Sequence, residues 1–599
     1  MTNQSLENYN FKQKKGSFLL NELSKLQIKN EESIIDHTEK LSYLSNYIHV
    51  KRDIETIFFE KVKEISEKDS NHLILLCGNV GDGKSHLLSR LKTKNPELYD
   101  KFKVFGDASE SYSPKKTNID TLGVNILKPF KDNFNENEYS SDSERKPIIL
   151  AINLGVLTDF LESEYIGEYT NLKQVIESSK IFDKDVISSD IDCGNISIIT
   201  FTDYNLFEFD ITSPNRVKSE FISQLFSKIT CPNEKINPFY KAYRMDKENN
   251  YTNSFIYNYE LICDSNVQNI LINYLIKLIL KYKKLISTRI ILHFIYNILV
   301  PSEIKSNNDN FKEYIQDLLP NLLFGANNHE KTNGENNSDD IRNLFNQFDP
   351  TLIHNNDLDD FIIKLNNTHD IKGVLEKYIN LSKIPFIETY IENNGNKIDI
   401  SDGTFIRTLI RFSLFFGKIN IKRHFDDETF IRFVEYLYNY NIKENDGYKD
   451  LFEEVRNAIF KFYGEYNGNI CIEKLTNYSI YKKLKLFKRY DPWEGIDKKK
   501  ISNRFKLQIK IFYSPVKSEK GFSLSIDYLL YENLVKINNG YKFNHAEKDN
   551  LIMLRKFIDD LILNEKDSDE LIIIHHHSNK KFRFDYDTYE NESFNFERV

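Results

Sequence analysis

The residues best suited to chemistry are Gly78-Asn79-Val80-Gly81-Asp82-Gly83-Lys84-Ser85, which fit the pattern GxxxxGK[ST]. In that pattern the glycines let backbone N–H groups turn inward around a phosphate, the lysine reaches the β- and γ-phosphates, and the final hydroxyl ligates Mg²⁺. Here the lysine is Lys84 and the hydroxyl belongs to Ser85. The pattern needs a buried strand before it and a helix after it. The apolar run Leu73-Ile74-Leu75-Leu76-Cys77 predicts the strand, and His86-Leu87-Leu88-Ser89-Arg90-Leu91 predicts a helix whose N-terminus faces the phosphates. With 21 Gly in 599 residues, a glycine-rich turn of this spacing is unexpected by chance. The cofactors expected are ATP and Mg²⁺.

The elements around the loop set the fold class. Apolar strands are expected at Phe102 to Phe105, Ile148 to Ile152 and Ile196 to Phe201, separated by helical or polar segments such as Ile119 to Phe130 and Val156 to Glu162. This alternation predicts an α/β P-loop NTPase, AAA+-like, with a mainly parallel sheet and helices on both faces. We divide the chain into an N-terminal helical lead-in (1–70), the P-loop ATPase core (71–212), a helical lid (213–303), a second helical region with Asn-rich loops (304–463) and a C-terminal α+β domain (464–599). The last shows alternating stretches from Phe505 to Ile511 and from Phe522 to Ile526, with one helix near Glu547 to Leu563.

In a parallel α/β sheet the ligand lies at the carboxyl ends of the strands, where Asp107, Asn153 and Asp203 are candidates. The strand ending at Asn153 stands where an AAA+-type ATPase carries its Mg²⁺-binding acid, yet an amide is neutral and cannot serve as a general base. Either hydrolysis is weak or another strand supplies the acid. Asp107, with Glu110 three residues on, suits a metal-and-base pair, and helix capping is its bland alternative. Asn153 then suits a sensor that orients the attacking water. In the lid, Ile286-Ser287-Thr288-Arg289 opens an apolar helix with two capping hydroxyls and a cation that opposes the helix dipole. Arg289 is therefore a sensor-type candidate for the γ-phosphate, against an ordinary exposed arginine.

Composition narrows the class. A hydrophobic fraction of 40%, a charged fraction of 28% and a net charge of −8 describe a water-soluble chain without a uniformly basic coat. The start, Met-Thr-Asn-Gln-Ser, lacks a secretory pattern, and the apolar region from Leu271 to Val300 is broken by Lys and Arg. The five cysteines form no CxxC pair, which fits reduced thiols and a cytoplasmic location. His575-His576-His577 reads as the continuation of a strand rather than a metal site. Between Lys482 and Lys510, eleven Lys or Arg face three acidic residues, a local net of +8, with Phe487, Tyr490, Trp493 and Phe505 interleaved. Such a segment is either a solvated face or a DNA-backbone contact, with Lys498, Lys499, Lys500 and Arg504 as the candidates. No nuclease constellation is recognisable.

Taken together, Leu76 to Leu88, Gly106-Asp107-Ala108-Ser109-Glu110-Ser111 and Leu150-Ala151-Ile152-Asn153-Leu154-Gly155 resemble the DptF family of DNA phosphorothioation-dependent restriction systems. The similarity continues through Phe348-Asp349-Pro350 and Phe405 to Arg411 to Gly540-Tyr541. The resemblance implies a cytoplasmic bacterial ATPase of an anti-phage defence complex, acting with other restriction proteins on DNA that lacks the phosphorothioate mark. DNA is then contacted directly or through partners, no membrane is involved, and a homo-oligomer is open. Two other readings of the residues are a nucleotide-gated scaffold without appreciable turnover and a P-loop small-molecule kinase.

Overall fold

The computed structural model describes residues 6, 9–27, 42–68, 71–79, 81–106, 117–134, 146–183, 191–202, 204–213, 215–283, 286–304, 314–325, 339–394, 403–516, 521–544, 547–548, 551–565, 570–578, 580–587 and 593–598. Its contacts divide the chain into two units. The first holds residues 1–207, 218–276 and 285–426, and the second holds 208–217, 277–284 and 427–599.

At the centre of the first unit lies a five-stranded sheet built from β1 (Leu73–Gly78), β2 (Lys103–Phe105), β3 (Ile148–Asn153), β4 (Ile191–Cys193) and β5 (Ile196–Thr200). The strand order is β2-β3-β1-β5-β4. β1 runs parallel to both neighbours, pairing Leu73 with Ile148 and Ile196 and Gly78 with Asn153. β2 is parallel to β3, and β4 closes the other edge antiparallel to β5. Every residue of β1 is buried. A strand covered on both faces needs a continuous apolar run, which Leu-Ile-Leu-Leu-Cys supplies. Leu73, Leu75 and Cys77 pack with Leu122, Phe160, Tyr169 and Ile176 on one face. Ile74 and Leu76 pack on the other face with Ile54, Phe58, Val62, Leu88 and Leu91. Each such side chain contributes about 1.5–3 kcal/mol of burial.

The same unit holds α1 (Phe18–Ser24), α2 (Tyr43–Ile48), α3 (Asp53–Ser66) and α4 (Lys84–Lys94), with α3 and α4 packed on the Ile74 and Leu76 face of the sheet. The lead-in is anchored by Asp246 of the helix Pro238–Glu248, whose carboxylate accepts the Ser17 hydroxyl at 2.5 Å and the N–H groups of Phe18 and Leu19 at 2.8 and 3.0 Å. The expected apolar helix of the lid is Thr288–Leu299, capped by the Ser287 hydroxyl, which accepts from Ile290 N. Further on, Asp349 and Arg411 form a two-pronged ion pair at 2.5 and 3.2 Å, and Arg411 also donates to Asn321 Oδ1 at 2.8 Å.

The second unit combines the helices Glu428–Asn441 and Lys449–Tyr463 with a six-stranded and a three-stranded sheet. The helices of 427–463 thus group with the C-terminal part, since Lys449–Tyr463 packs against the helix Tyr528–Asn538 and the strand Asn469–Lys474. Three expectations need correction. The strand placed at Phe505 to Ile511 is Ile509–Ser514, because Phe505 packs its ring on Phe209 at 4.4 Å instead of entering the ladder. Besides Ile552–Leu563 there is the helix Tyr528–Asn538, started by Asp527 accepting from Leu530 N. The strand Leu571–His575 ends at the first histidine, and His576 and His577 lie in a turn.

Candidate functional site

The glycine-rich segment does join a buried strand to a helix. Gly81 and Gly83 have φ of +87° and +103°, a region that costs any residue with a Cβ. Gly83 is the N-cap of α4 and Lys84 its first residue. The turn is closed from within, since Asp82 Oδ2 accepts from Asn79 N at 2.6 Å. Burial pushes the Asp82 carboxyl up, against the lowering by this N–H and by Lys84 and Arg52.

Lys84 is 8% exposed. Its ammonium donates to Gly78 O at 2.9 Å, to Asn79 O at 2.7 Å and to Asn153 Oδ1 at 2.7 Å. The pairing of Gly78 with Asn153 in the parallel ladder is what brings the amide to the lysine. α4 has no acidic residue in its first turn and no side-chain cap. A helix start that carries a lysine and lacks both is electrostatically unfavourable by itself and suited to an anion.

The loop borders a cavity of about 330 Å³, whose lining includes Lys84, Ser85, Asn153, Gly106, Arg289 and Arg52. That size is in the range of small-molecule sites. Its apolar wall comes from Leu26, Leu44, Ile48, Val50, Leu87 and Leu292. Arg52 precedes α3, donates to Asp82 O at 3.1 Å, and lies over the rings of Phe201 and Phe221 at 5.3 and 5.5 Å.

The cavity lining also includes a polar cluster of His49, Glu55 and His86. His86, next after Ser85, meets His49 with Nε2 to Nδ1 at 2.8 Å, and the rings stack. His49 Nε2 lies 2.8 Å from Glu55 Oε2. Glu55 Oε1 accepts from Arg90 Nε at 2.8 Å. Burial pushes the His86 imidazole down to about 3, with His49 and Arg90 adding to the effect. It also lowers His49, against the raising influence of Glu55. The Glu55 carboxyl is brought down to about 2 by His49 and Arg90, which outweigh its own burial.

The structure therefore brings Lys84, Ser85, Asn153 and Arg289 to one cavity. Arg289 is the second residue of its helix, and burial lowers its pKa. Ser287 of the same segment sits directly against Gly81, whose missing Cβ would fall 2.9 Å from Ser287 Cβ. Val80, Asp107 and Asp203 lie outside the described residues. Among the described residues no group of three His, Cys, Asp or Glu is arranged to hold a metal ion.

Lys498, Lys499 and Lys500 are exposed in the second unit, in a turn where Asp497 accepts from the N–H groups of Lys499 and Lys500. Arg504 is half-buried. The aromatics of that segment are engaged within the unit. Tyr490 packs on Phe452 at 5.0 Å, Phe505 is buried, and Lys506 Nζ lies 4.0 Å over the Trp493 ring.

Sequence reasoning missed Arg52, His49, Glu55 and the Ser287 contact. One signal was available for Arg52: it stands where a helix beginning with Asp53 and Glu55 calls for Ser, Thr, Asp or Asn. Among the described residues no helix is long and apolar enough to cross a membrane. No protein-family model, curated protein or solved structure matches the chain.

Proposed function

We propose that the chain is a P-loop ATPase of AAA+-like type, binding ATP with Mg²⁺ at the Gly78–Ser85 loop. The observation that carries this reading is the seat of Lys84, whose ammonium stands between two loop carbonyls and Asn153 at the head of the cavity. A nucleotide phosphate would replace these acceptors, the loop N–H groups and α4 would face its charge, and Ser85 would hold Mg²⁺. Arg289 enters the same cavity as the lid's candidate for the γ-phosphate.

Asn153 engages Lys84 as a neutral hydrogen-bond acceptor, which supports the sensor role and leaves the Mg²⁺-binding acid to be supplied elsewhere. Asp107 is our candidate, because it follows Gly106 of the cavity lining. The same neutral amide favours a second reading, a nucleotide-gated switch with little turnover. Measuring ATP hydrolysis by the purified protein separates the two. Turnover lost in Asp107→Ala with ATP binding retained supports the ATPase, whereas tight ATP binding without turnover supports the switch.

With the resemblance to DNA phosphorothioation-dependent restriction systems, we further propose that nucleotide binding or hydrolysis here promotes assembly or activation of partner proteins on unmodified DNA in a bacterial cytoplasm. The chain alone should not cut DNA with ATP and Mg²⁺. If it contacts DNA itself, Lys498, Lys499 and Lys500 offer backbone contacts. Replacing all three by Ala should flatten the salt dependence of DNA binding by up to about three phosphates, and an unchanged slope would return them to a solvated surface.

A further inference from the structure

Arg52 occupies the N-cap position of α3 with extended backbone (φ −111°, ψ 156°) and makes no capping bond. A Ser or Asp there would stabilise the helix by about 1 kcal/mol. The side chain instead reaches the glycine-rich loop, where one of its five N–H groups donates to Asp82 O at 3.1 Å. Asp82 O is its one hydrogen-bond acceptor among the described residues. The guanidinium carbon lies over the rings of Phe201 and Phe221 at 5.3 and 5.5 Å, and the residue lines the cavity that Lys84 and Arg289 also line.

The neighbouring carboxylates do not meet this cation in a hydrogen bond. Asp82 turns its carboxylate to Asn79 N, and Asp53 acts only through its field. Burial is the largest influence on Arg52 and lowers its pKa, while the residue is half-buried and keeps Asp82 O as its one protein acceptor among the described residues. A planar fork held against two aromatic rings in the lining of a cavity suits a phosphate group.

We propose that Arg52 is a nucleotide-contacting residue that presents its remaining donors to a phosphate oxygen of the nucleotide held by the Gly78–Ser85 loop. The inference rests on the nucleotide reading above. It gives the N-terminal lead-in a direct part in the site, because the residue that touches phosphate also starts α3 and grips the loop through Asp82 O.

The test is titration of the full chain with Mg-ATP and, separately, with inorganic tripolyphosphate, for wild type, Arg52→Gln and Arg52→Lys, with ligand-free melting recorded for each. Arg52→Gln should weaken both ligands about tenfold or more, the loss expected for a charge-assisted hydrogen bond, while ligand-free melting changes little. Arg52→Lys, which keeps the charge without the fork, should fall between. Unchanged affinities, or weaker ATP with unchanged tripolyphosphate binding, would overturn the role of Arg52. Should Arg52→Gln fail to fold, Arg52→Lys decides, with wild-type affinity for both ligands counting against the proposal. A wild-type chain that binds neither ligand would instead refute the nucleotide reading itself.

Discussion

Adding one methyl group at Gly81 or at Gly83 is the same chemical change at two loop positions with different surroundings. Both residues have positive φ, so alanine costs roughly 1–2 kcal/mol of backbone strain at either. At Gly83 nothing lies within 4 Å of the new Cβ, and that strain is the whole effect. At Gly81 the Cβ would stand 2.9 Å from Ser287 Cβ and 3.0 Å from its Oγ, and because a Cβ moves only with its backbone, the Ser287 segment or the loop must shift. Overpacking of this kind adds about 1–3 kcal/mol. Gly81→Ala should therefore be the worse by about 1 kcal/mol or more, at least roughly a fivefold difference in an opening equilibrium. Because the single tryptophan, Trp493, lies in the other unit, fluorescence would miss this change, and hydrogen exchange of the α4 amides is the suitable assay. Ser287→Gly should erase the difference between the two alanine variants, at a shared cost of only about a few tenths of a kcal/mol for changing the helix cap. Equal protection in Gly81→Ala and Gly83→Ala would refute the contact between the loop and the Ser287 segment.

Asn153→Asp should hold Lys84 more firmly and repel phosphate, lowering ATP affinity about tenfold in a calorimetric titration; an improvement would assign Asn153 to metal binding instead. Stability should fall on acidification from pH 6.5 toward 3, because His86 is neutral when folded and takes up a proton on unfolding in that window. Glu55 adds a loss in the same direction as pH drops through its own folded value of about 2. His86→Gln should flatten the dependence of the urea midpoint on pH between 6.5 and 5, and an unaltered slope would count against a buried neutral imidazole. Asp349→Ala should destabilise the first unit by about 3–5 kcal/mol, since it leaves the Arg411 guanidinium, 11% exposed, without its carboxylate. Hydrogen exchange in the helix Thr404–Phe416 reads this loss, and the Asp349→Ala, Arg411→Leu double variant should lose less than the sum of the singles.

The parallel sheet was legible because a strand buried on both faces demands an apolar run, which β1 and β3 supply unbroken and β5 with Ser197 inside it. The start of the helix Thr288–Leu299 was legible from its capping hydroxyl at Ser287. The helix Tyr528–Asn538 was missed although its buried Tyr528, Tyr531, Leu534 and Ile537 recur every three residues and Asp527 was a usable start signal. The false strand start at Phe505 shows the converse, in that local alternation cannot tell a strand from a loop whose aromatic side chain packs into a core. Within the site, the loop and its lysine were readable as a contiguous motif. The Asn153–Lys84 bond depends on strand register, and the Arg52 and His49 contacts span 30 and 37 residues. No spacing rule links such positions, since tertiary packing alone brings them together.

The central claim is that the Gly78–Ser85 loop binds a nucleoside triphosphate through Lys84. Equilibrium titration of Mg-ATP into the wild-type chain and into Lys84→Ala, with melting curves showing both to be folded, tests it directly. The account predicts saturable binding to the wild type that falls about tenfold or more in the variant. Equal binding by the two proteins, or none by the wild type, would contradict it.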